Sequence, residues 1–300
     1  MINGVINVYK EAGFTSHDVV AKLRGILKQK KIGHTGTLDP DATGVLPVCL
    51  GSGTKLCDML TDKNKTYEAV MLLGKQTDTQ DVSGEVINEA PVTMDEETVR
   101  NVIMSFVGEY DQVPPMYSAL KVNGKKLYEL AREGITVERK ARRVQILSVD
   151  IKFIDMDNNT VTMTVECSKG TYIRTLCEDI GIKLGCFACM KSLKRTRVST
   201  FGIEDAKTLD EIGAINEAGK MDEILVKVDS VFREYKALNT PERVDTYLYN
   251  GNKLDRKNFD YKFADSEYVR IYDSKNIFCG VYEYIGTEGM LKPVKMFLDR

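Results

Sequence analysis

Asp39 lies in GHTGTLDPDATG, residues 33–44, among Gly33, Gly36 and Gly44 and directly before Pro40. Glycine permits tight backbone paths, and proline restricts both its own φ and the residue preceding it, so the carboxylate sits on a stiff loop. An aspartate presented in this way can act as a nucleophile or a base. The same pattern suits a turn in which Asp39 caps backbone amides, and the loop residues alone leave both readings open. His34, one of 2 histidines in the chain, shares the loop. Its glycine spacing matches neither a dinucleotide fingerprint nor a phosphate loop ending in Gly-Lys-Ser/Thr.

Other groups are less specific by themselves. Tyr67 in KTYEA and Tyr172 in GTYIRTL either fill a core edge or stack on a ligand. Arg174, two residues after Tyr172, reads as a solvated helix charge, a surface ion pair or a functional cation. Of the 7 cysteines only Cys186 and Cys189 form a close CxxC pair, and His17 and His34 are far upstream. A zinc site, a redox pair and ordinary buried thiols all remain open for that pair. The odd total, spread over a long chain, favours reduced thiols over a disulfide scaffold.

The elements that must hold these residues follow from hydrophobic periodicity. GVINVYK at 4–10 predicts a strand, and Ser16 or Asp18 caps a helix carrying Val19, Val20, Leu23 and Ile26 or Leu27. Residues 33–44 read as a loop, 45–51 as a buried run, 54–60 as a short helix and 65–74 as a strand. Residues 95–107 form a helix with an acidic first turn. A possible Asn-Gly hairpin at 123–124 precedes a helix at 125–133. Strands are expected at 144–157 and 160–170, followed by a helix at 171–185. Segment 201–223 is acidic and partly helical, and a boundary is expected between Asn239 and Arg243. Beyond it DTYLYNG, EYVRIYD, IFCGVYEYI and MLKPVKMF read as short strands. This order is mixed α+β, with no regular βαβ alternation. It divides into residues 1–240 and a small β-rich domain, 241–300.

With 300 residues, the chain has room for two domains at about 150 residues each. A formal net charge of -2 gives no overall positive field for a nucleic acid. Local patches are another matter. Lys22, Arg24, Lys28, Lys30 and Lys31 cluster without an acid, basic residues predominate over 121–143, and KSLKRTR at 191–197 carries no acid. These segments either build a phosphate-binding face or are ordinary solvated surfaces. No secretory pattern or membrane-length apolar run is present in the sequence, so the expectation is a soluble, cytoplasmic protein.

Four segments, GHTGTLDPDATGVLPVCLGSGTK, KTYEA, PPMYSALKVNGKKLYELAREG and CSKGTYIRTLCEDIG, resemble in this order the TruB family of bacterial tRNA pseudouridine-55 synthases. The resemblance extends over about residues 3–200. It implies a pseudouridine synthase catalytic fold with a central mixed, mostly antiparallel sheet and a small PUA-like C-terminal domain. The implied reaction isomerises uridine-55 in the T-arm of tRNA to pseudouridine, without a redox cofactor or a catalytic metal. Neither a membrane nor an obligatory protein partner is expected.

By position in the matching motifs, the resemblance makes Asp39 the catalytic aspartate and Arg174 the arginine paired with it. Tyr67 becomes the aromatic that stacks on the target base and a candidate acceptor of the C5 proton. Tyr172 lines the target pocket, Leu193 is its apolar wall and His34 helps hold the flipped nucleotide. Near the N-terminus Tyr9 and Glu11 depart from the family's DKPxGxTSxD pattern, whereas Lys10, Gly13, Ser16 and Asp18 match it. Sequence leaves open whether the intermediate is linked to the sugar, linked to the base or a glycal. A competing reading is an RNA-binding or tRNA-remodelling factor on the same scaffold. A different RNA target is another.

Overall fold

In the strand Lys65–Leu73 every second residue, from Lys65 through Tyr67, Ala69 and Met71 to Leu73, is buried. That period-two pattern places the strand inside a ten-stranded sheet. The computed structural model describes residues 1–122 and 124–298. From one edge the main path runs Leu225–Val226, Gly4–Lys10, Thr43–Leu50, Ala188–Val198, Lys65–Leu73, Thr160–Cys167, Arg142–Asp155, Gly108–Gln112. Every junction in it is antiparallel except that between Thr43–Leu50 and Ala188–Val198. The sheet is therefore mixed and mostly antiparallel, as the family resemblance implies.

Both faces of the strand Gly4–Lys10 are covered. Ile6 and Val8 join Leu46, Val48 and Leu50 beneath the helices Ser16–Ile26 and Leu209–Glu217. Val5, Val45 and Cys49 point the other way, into a cluster with Phe232, Val281 and Phe297. A third cluster packs the helices Glu96–Met104 and Ile173–Leu184 around Tyr67, Ala69 and Met71. Each fully buried aliphatic or aromatic side chain contributes about 1.5–3 kcal/mol, so these faces fix the sheet on which the site is built.

The smaller sheet has five strands, ordered Lys236–Asn239, Tyr268–Tyr272, Phe278–Ile285, Met290–Met296, Leu254–Asp255. It begins at Lys236, ahead of the expected division at 240. Val281 and Phe297 belong to the cluster shared with Val5 and Val45, so the two sheets have a common core.

Several local expectations need correction. DTYLYNG is not a strand: Glu242–Tyr249 is a helix burying Val244, Asp245 and Leu248. Its alternating aromatics mimic a strand, but Val244 and Leu248 are one helical turn apart. The first helix is capped by Thr15, whose hydroxyl accepts from Asp18 N–H while the Asp18 carboxylate accepts from Thr15 N–H. Such a cap contributes about 1 kcal/mol and leaves Ser16 available for another contact. The loop at 33–44 is shorter than expected, because Ile32–His34 and Thr43–Leu50 pair as strands. Asn123 of the expected hairpin lies outside the described residues; Lys121–Val122 and Lys125–Lys126 pair on either side of it. Among the described residues no helix is long and apolar enough to cross a membrane.

Candidate active site

The loop bearing Asp39 is held on several sides by buried polar contacts. Lys10 is fully buried, and its Nζ donates to the carbonyls of Glu11 at 3.0 Å, Pro40 at 2.8 Å and Ala42 at 2.6 Å. Burial lowers its pKa to about 8. Leu38 N–H donates to Ser16 Oγ at 3.0 Å, and Gly13 N–H donates to the Pro40 carbonyl at 3.0 Å. Leu38 and Ala42 drive the loop into the core on either side of Asp39. Gly44 closes the bend at φ 104°, where an added Cβ would lie 2.2 Å from the Arg195 carbonyl oxygen. The departures at Tyr9 and Glu11 thus leave the Lys10 tether in place.

Arg174 reaches Asp39 from the first turn of the helix Ile173–Leu184. Its Nε lies 3.0 Å from Asp39 Oδ2 and its Nη2 donates to Oδ1 at 3.2 Å, giving a two-point pair. The remaining donors are used too: Nη1 reaches Thr79 O at 3.0 Å and Nη2 reaches Tyr117 O at 2.8 Å. The Asp81 carboxylate approaches Nη1 at 3.8 Å. Gln112, almost fully buried, accepts from Tyr172 N–H at 2.8 Å and donates to Tyr172 O at 3.0 Å, fixing the residue that caps this helix.

The pair is open on one side only: the Asp39 side chain is 39% exposed and that of Arg174 7%. Crowding by protein raises the Asp39 pKa, Arg174 opposes the rise, Asp81 adds to it and Lys10 opposes it. The carboxylate is thus a better base than a solvated aspartate and still reachable from solvent.

Tyr67 is buried on the strand beside this pair, and the Asp39 charge is felt at both Tyr67 and Tyr172. Burial raises both phenols; Arg195 opposes the shift at Tyr67, and the nearby Arg142 and Arg174 charges oppose it at Tyr172. Leu193 lies opposite Ala69 and packs against the cluster containing Leu38, Tyr67 and Ile173. Asp39, Arg174, Tyr67, Tyr172 and Leu193 are therefore neighbours around the Asp39 carboxylate. His34 stands apart, edge-on to His17 with ring centroids 5.2 Å apart, and its Nδ1 accepts from Gly36 N–H at 3.4 Å. It joins the cleft through Arg195, which donates to Gly36 O at 3.3 Å. Burial, His17 and Arg195 all lower the His34 pKa.

Sequence reasoning missed Asp81, Gln112 and Arg195. KSLKRTR, one of the three candidate phosphate-binding segments, forms part of the strand Ala188–Val198, and its Arg195 is interior. Lys22, Arg24, Lys28, Lys30 and Lys31 are exposed. All seven cysteines are free thiols, with Cys186 and Cys189 buried. Among the described residues no group of three or more His, Cys, Asp or Glu is arranged to hold a metal ion.

A two-point Asp–Arg pair on a large, mostly antiparallel mixed sheet is the arrangement to compare with known folds, and the comparisons place it among the pseudouridine synthases. The fold is shared with crystal structures of a Cbf5–Nop10–Gar1 complex (TM-score 0.73, 26% identity, 99% of this chain and 85% of that one) and an archaeal box H/ACA sRNP Nop10–Cbf5 complex (TM-score 0.71, 25% identity, 99% and 87%). Residues 24–173 match the TruB family pseudouridylate synthase N-terminal domain, and residues 174–233 match the tRNA pseudouridylate synthase B C-terminal domain. The tRNA pseudouridine synthase B of Lachnoclostridium phytofermentans is 52% identical, over 99% of this chain and 100% of that protein. That of Bacillus pumilus is 41% identical over 99% and 98%. The chain belongs to the TruB family of pseudouridylate synthases.

Proposed function

We propose that the protein converts uridine-55 in the T-arm of tRNA to pseudouridine, and that Asp39 carries the chemistry. The observation supporting this most directly is the Asp39 carboxylate gripped at two points by Arg174 yet open to the cleft. A uridine stacked in a loop hides its glycosidic bond, so the nucleotide must flip into the cleft. Tyr67 then replaces the lost stacking, Tyr172 and Leu193 close around the base, and His34 holds the displaced loop. Arg174 keeps the carboxylate oriented and favours its ionised form. Asp39 promotes cleavage of the N1–C1′ bond, the uracil turns within the closed pocket, and C5 joins C1′. Loss of the C5 proton completes an isomerisation with no net oxidation or reduction.

RNA docks, on this reading, along the exposed cations of the first helix, while a PUA-like C-terminal unit starting near Lys236 contacts tRNA away from the reacting loop. The test uses a T-arm stem-loop carrying tritium at uridine C5. Purified protein should release tritium from RNA with uridine at position 55 and none when 55 is cytidine and the label lies at other uridines. Release from the cytidine-55 RNA equal to that from the uridine-55 RNA would remove the proposed target.

A further inference from the structure

The largest fully buried side chain among the described residues is a cation, Arg195, only 1% exposed. Its Nε donates to Val45 O at 2.7 Å and its Nη2 to Gly36 O at 3.3 Å. No carboxylate among the described residues forms an ion pair with it. The buried cations Lys10 and Lys65 are near enough for its guanidinium to oppose their protonation. A buried charge without an opposite partner carries a desolvation cost of several kcal/mol, so a purely structural arginine here would be a poor choice. Two carbonyls could be satisfied by neutral donors.

What Arg195 faces suggests a use for the charge. It lies opposite Tyr67 on the neighbouring strand, next to an irregularity in register between Arg195 and Arg197. Such irregularities re-aim side chains, and here the register pair just before it is Arg195 with Tyr67. The groups acting on the Tyr67 phenol are Arg195, Cys167 and Asp39; Arg195, its cross-strand neighbour, alone among them favours the ionised oxygen. Burial pushes the phenol up, and a neutral phenol is a poor acceptor of a carbon-bound proton.

We propose that Arg195 is a positioning residue that acts through Tyr67: it orients the phenolic oxygen over the rearranged uracil and stabilises the tyrosinate that accepts the C5 proton. This rests on the pseudouridine reading above. In the step itself, the base already joined to the sugar through C5 still carries hydrogen there. The C5–H proton passes to the tyrosinate oxygen and gives a neutral phenol. The C–H electron pair becomes the C5–C6 double bond, and the N1–C6 double-bond pair moves to N1, which takes a proton from water. The phenol later returns its proton to solvent, so atoms and charge balance over the cycle.

The experiment combines Arg195→Gln, Arg195→Lys and Tyr67→Phe in a cycle, read by single-turnover tritium release against pH on saturating T-arm RNA. Arg195→Gln should slow release by about tenfold or more near neutrality, the scale of a lost charge-assisted hydrogen bond, with recovery as pH rises. Arg195→Lys should keep most of the rate. In the Tyr67→Phe background, Arg195→Gln should add little further loss. The same loss in both backgrounds, or an unshifted pH profile in folded Arg195→Gln, would overturn the proposal and leave Arg195 as a tether for Gly36 and Val45. A second measurement needs no turnover: the tyrosinate absorbance of the wild type minus that of Tyr67→Phe, titrated with and without Arg195→Lys. Replacing the guanidinium fork with an ammonium should move the Tyr67 titration to higher pH. An unchanged titration would also overturn the proposal. Wild-type protein that releases no tritium would instead refute the pseudouridine reading, while the absorbance result would still report on Arg195.

Discussion

Buried charge is used differently in the two sheets. Around the large sheet the buried charged residues are Lys10, Lys65, Arg174 and Arg195, all cations; in the small one they are Asp245 and Asp273, both acids. Asp273 is consumed by its own turn, accepting from Lys275 N–H at 2.9 Å and Ile277 N–H at 2.8 Å, and from the Tyr249 hydroxyl at 2.8 Å. Asp245 accepts from the hydroxyls of Thr240 and Ser274, both at 2.6 Å. Arg174 and Arg195 instead join segments far apart in sequence: Arg174 ties Asp39 to the Thr79 and Tyr117 carbonyls, and Arg195 ties the Val45 and Gly36 carbonyls together. Charges that close a turn stabilise a fold. Charges held in common by several elements, beside a carboxylate that solvent can reach, are suited to pre-organising a site.

The comparison is broken most severely at Asp39. Asp39→Asn should lower single-turnover pseudouridine formation by more than about a thousandfold, because the amide keeps the size but loses nucleophilicity and basicity. The fold and most tRNA affinity should survive, since Arg174 retains the Thr79 and Tyr117 carbonyls. Circular dichroism and a filter-binding titration check this. Turnover near wild type would assign Asp39 to the same structural role as Asp273.

Asp273→Ala should do the reverse. Two backbone N–H groups and the Tyr249 hydroxyl lose their acceptor, at an expected cost of about 3 kcal/mol in urea unfolding. Turnover of a T-arm stem-loop at saturation should stay within about twofold, because no proposed chemical group touches this turn. A large rate loss in folded protein would mean that the small sheet supports the pocket directly.

A smaller effect is expected from reversing charge in the small domain at Lys257 and Lys262, which border a surface groove with Arg256 and Tyr261. Full-length tRNA should bind up to about tenfold more weakly, with a shallower salt dependence, while the T-arm stem-loop should be unaffected. Equal loss on both RNAs would contradict distal contact. Substitution serves here better than truncation, because Val281 and Phe297 complete a core with Val5 and Val45.

The smallest effect concerns pH. On the proposed chemistry Asp39 acts in its ionised form, so its raised pKa should place the acid limb of the rate above the ordinary carboxylate value of 3.8. Lowering pH through that limb therefore reduces the rate. Asp81→Asn removes a like charge, so the limb should move to lower pH, seen as a few-fold higher ratio of the rate at pH 5 to that at pH 7.5. A shift to higher pH would mean that Asp81 matters mainly by holding Arg174.

Much of this arrangement was legible in sequence wherever one face alternates cleanly. Lys65–Leu73, Thr160–Cys167 and the helix Ile173–Leu184 follow their hydrophobic periods, and the LDPDATG and GTYIRTL motifs located Asp39 and Arg174. The strand Ala188–Val198, inside the large sheet, was hidden. Two register irregularities, between Met190 and Ser192 and between Arg195 and Arg197, break its alternation, and four cations disguise it as surface. Arg195 escaped for the same reason: a lysine- and arginine-rich run offers no local sign of which member turns inward. Gln112 and Asp81 act through contacts with segments distant in sequence, which no local pattern encodes.

The most direct test maps pseudouridine at nucleotide resolution in an unmodified full-length tRNA after incubation with the purified protein, with Asp39→Asn in parallel. Pseudouridine should form at position 55 alone with the wild type and not at all with Asp39→Asn. Modification confined to another position, or equal conversion at 55 by both proteins, would contradict it.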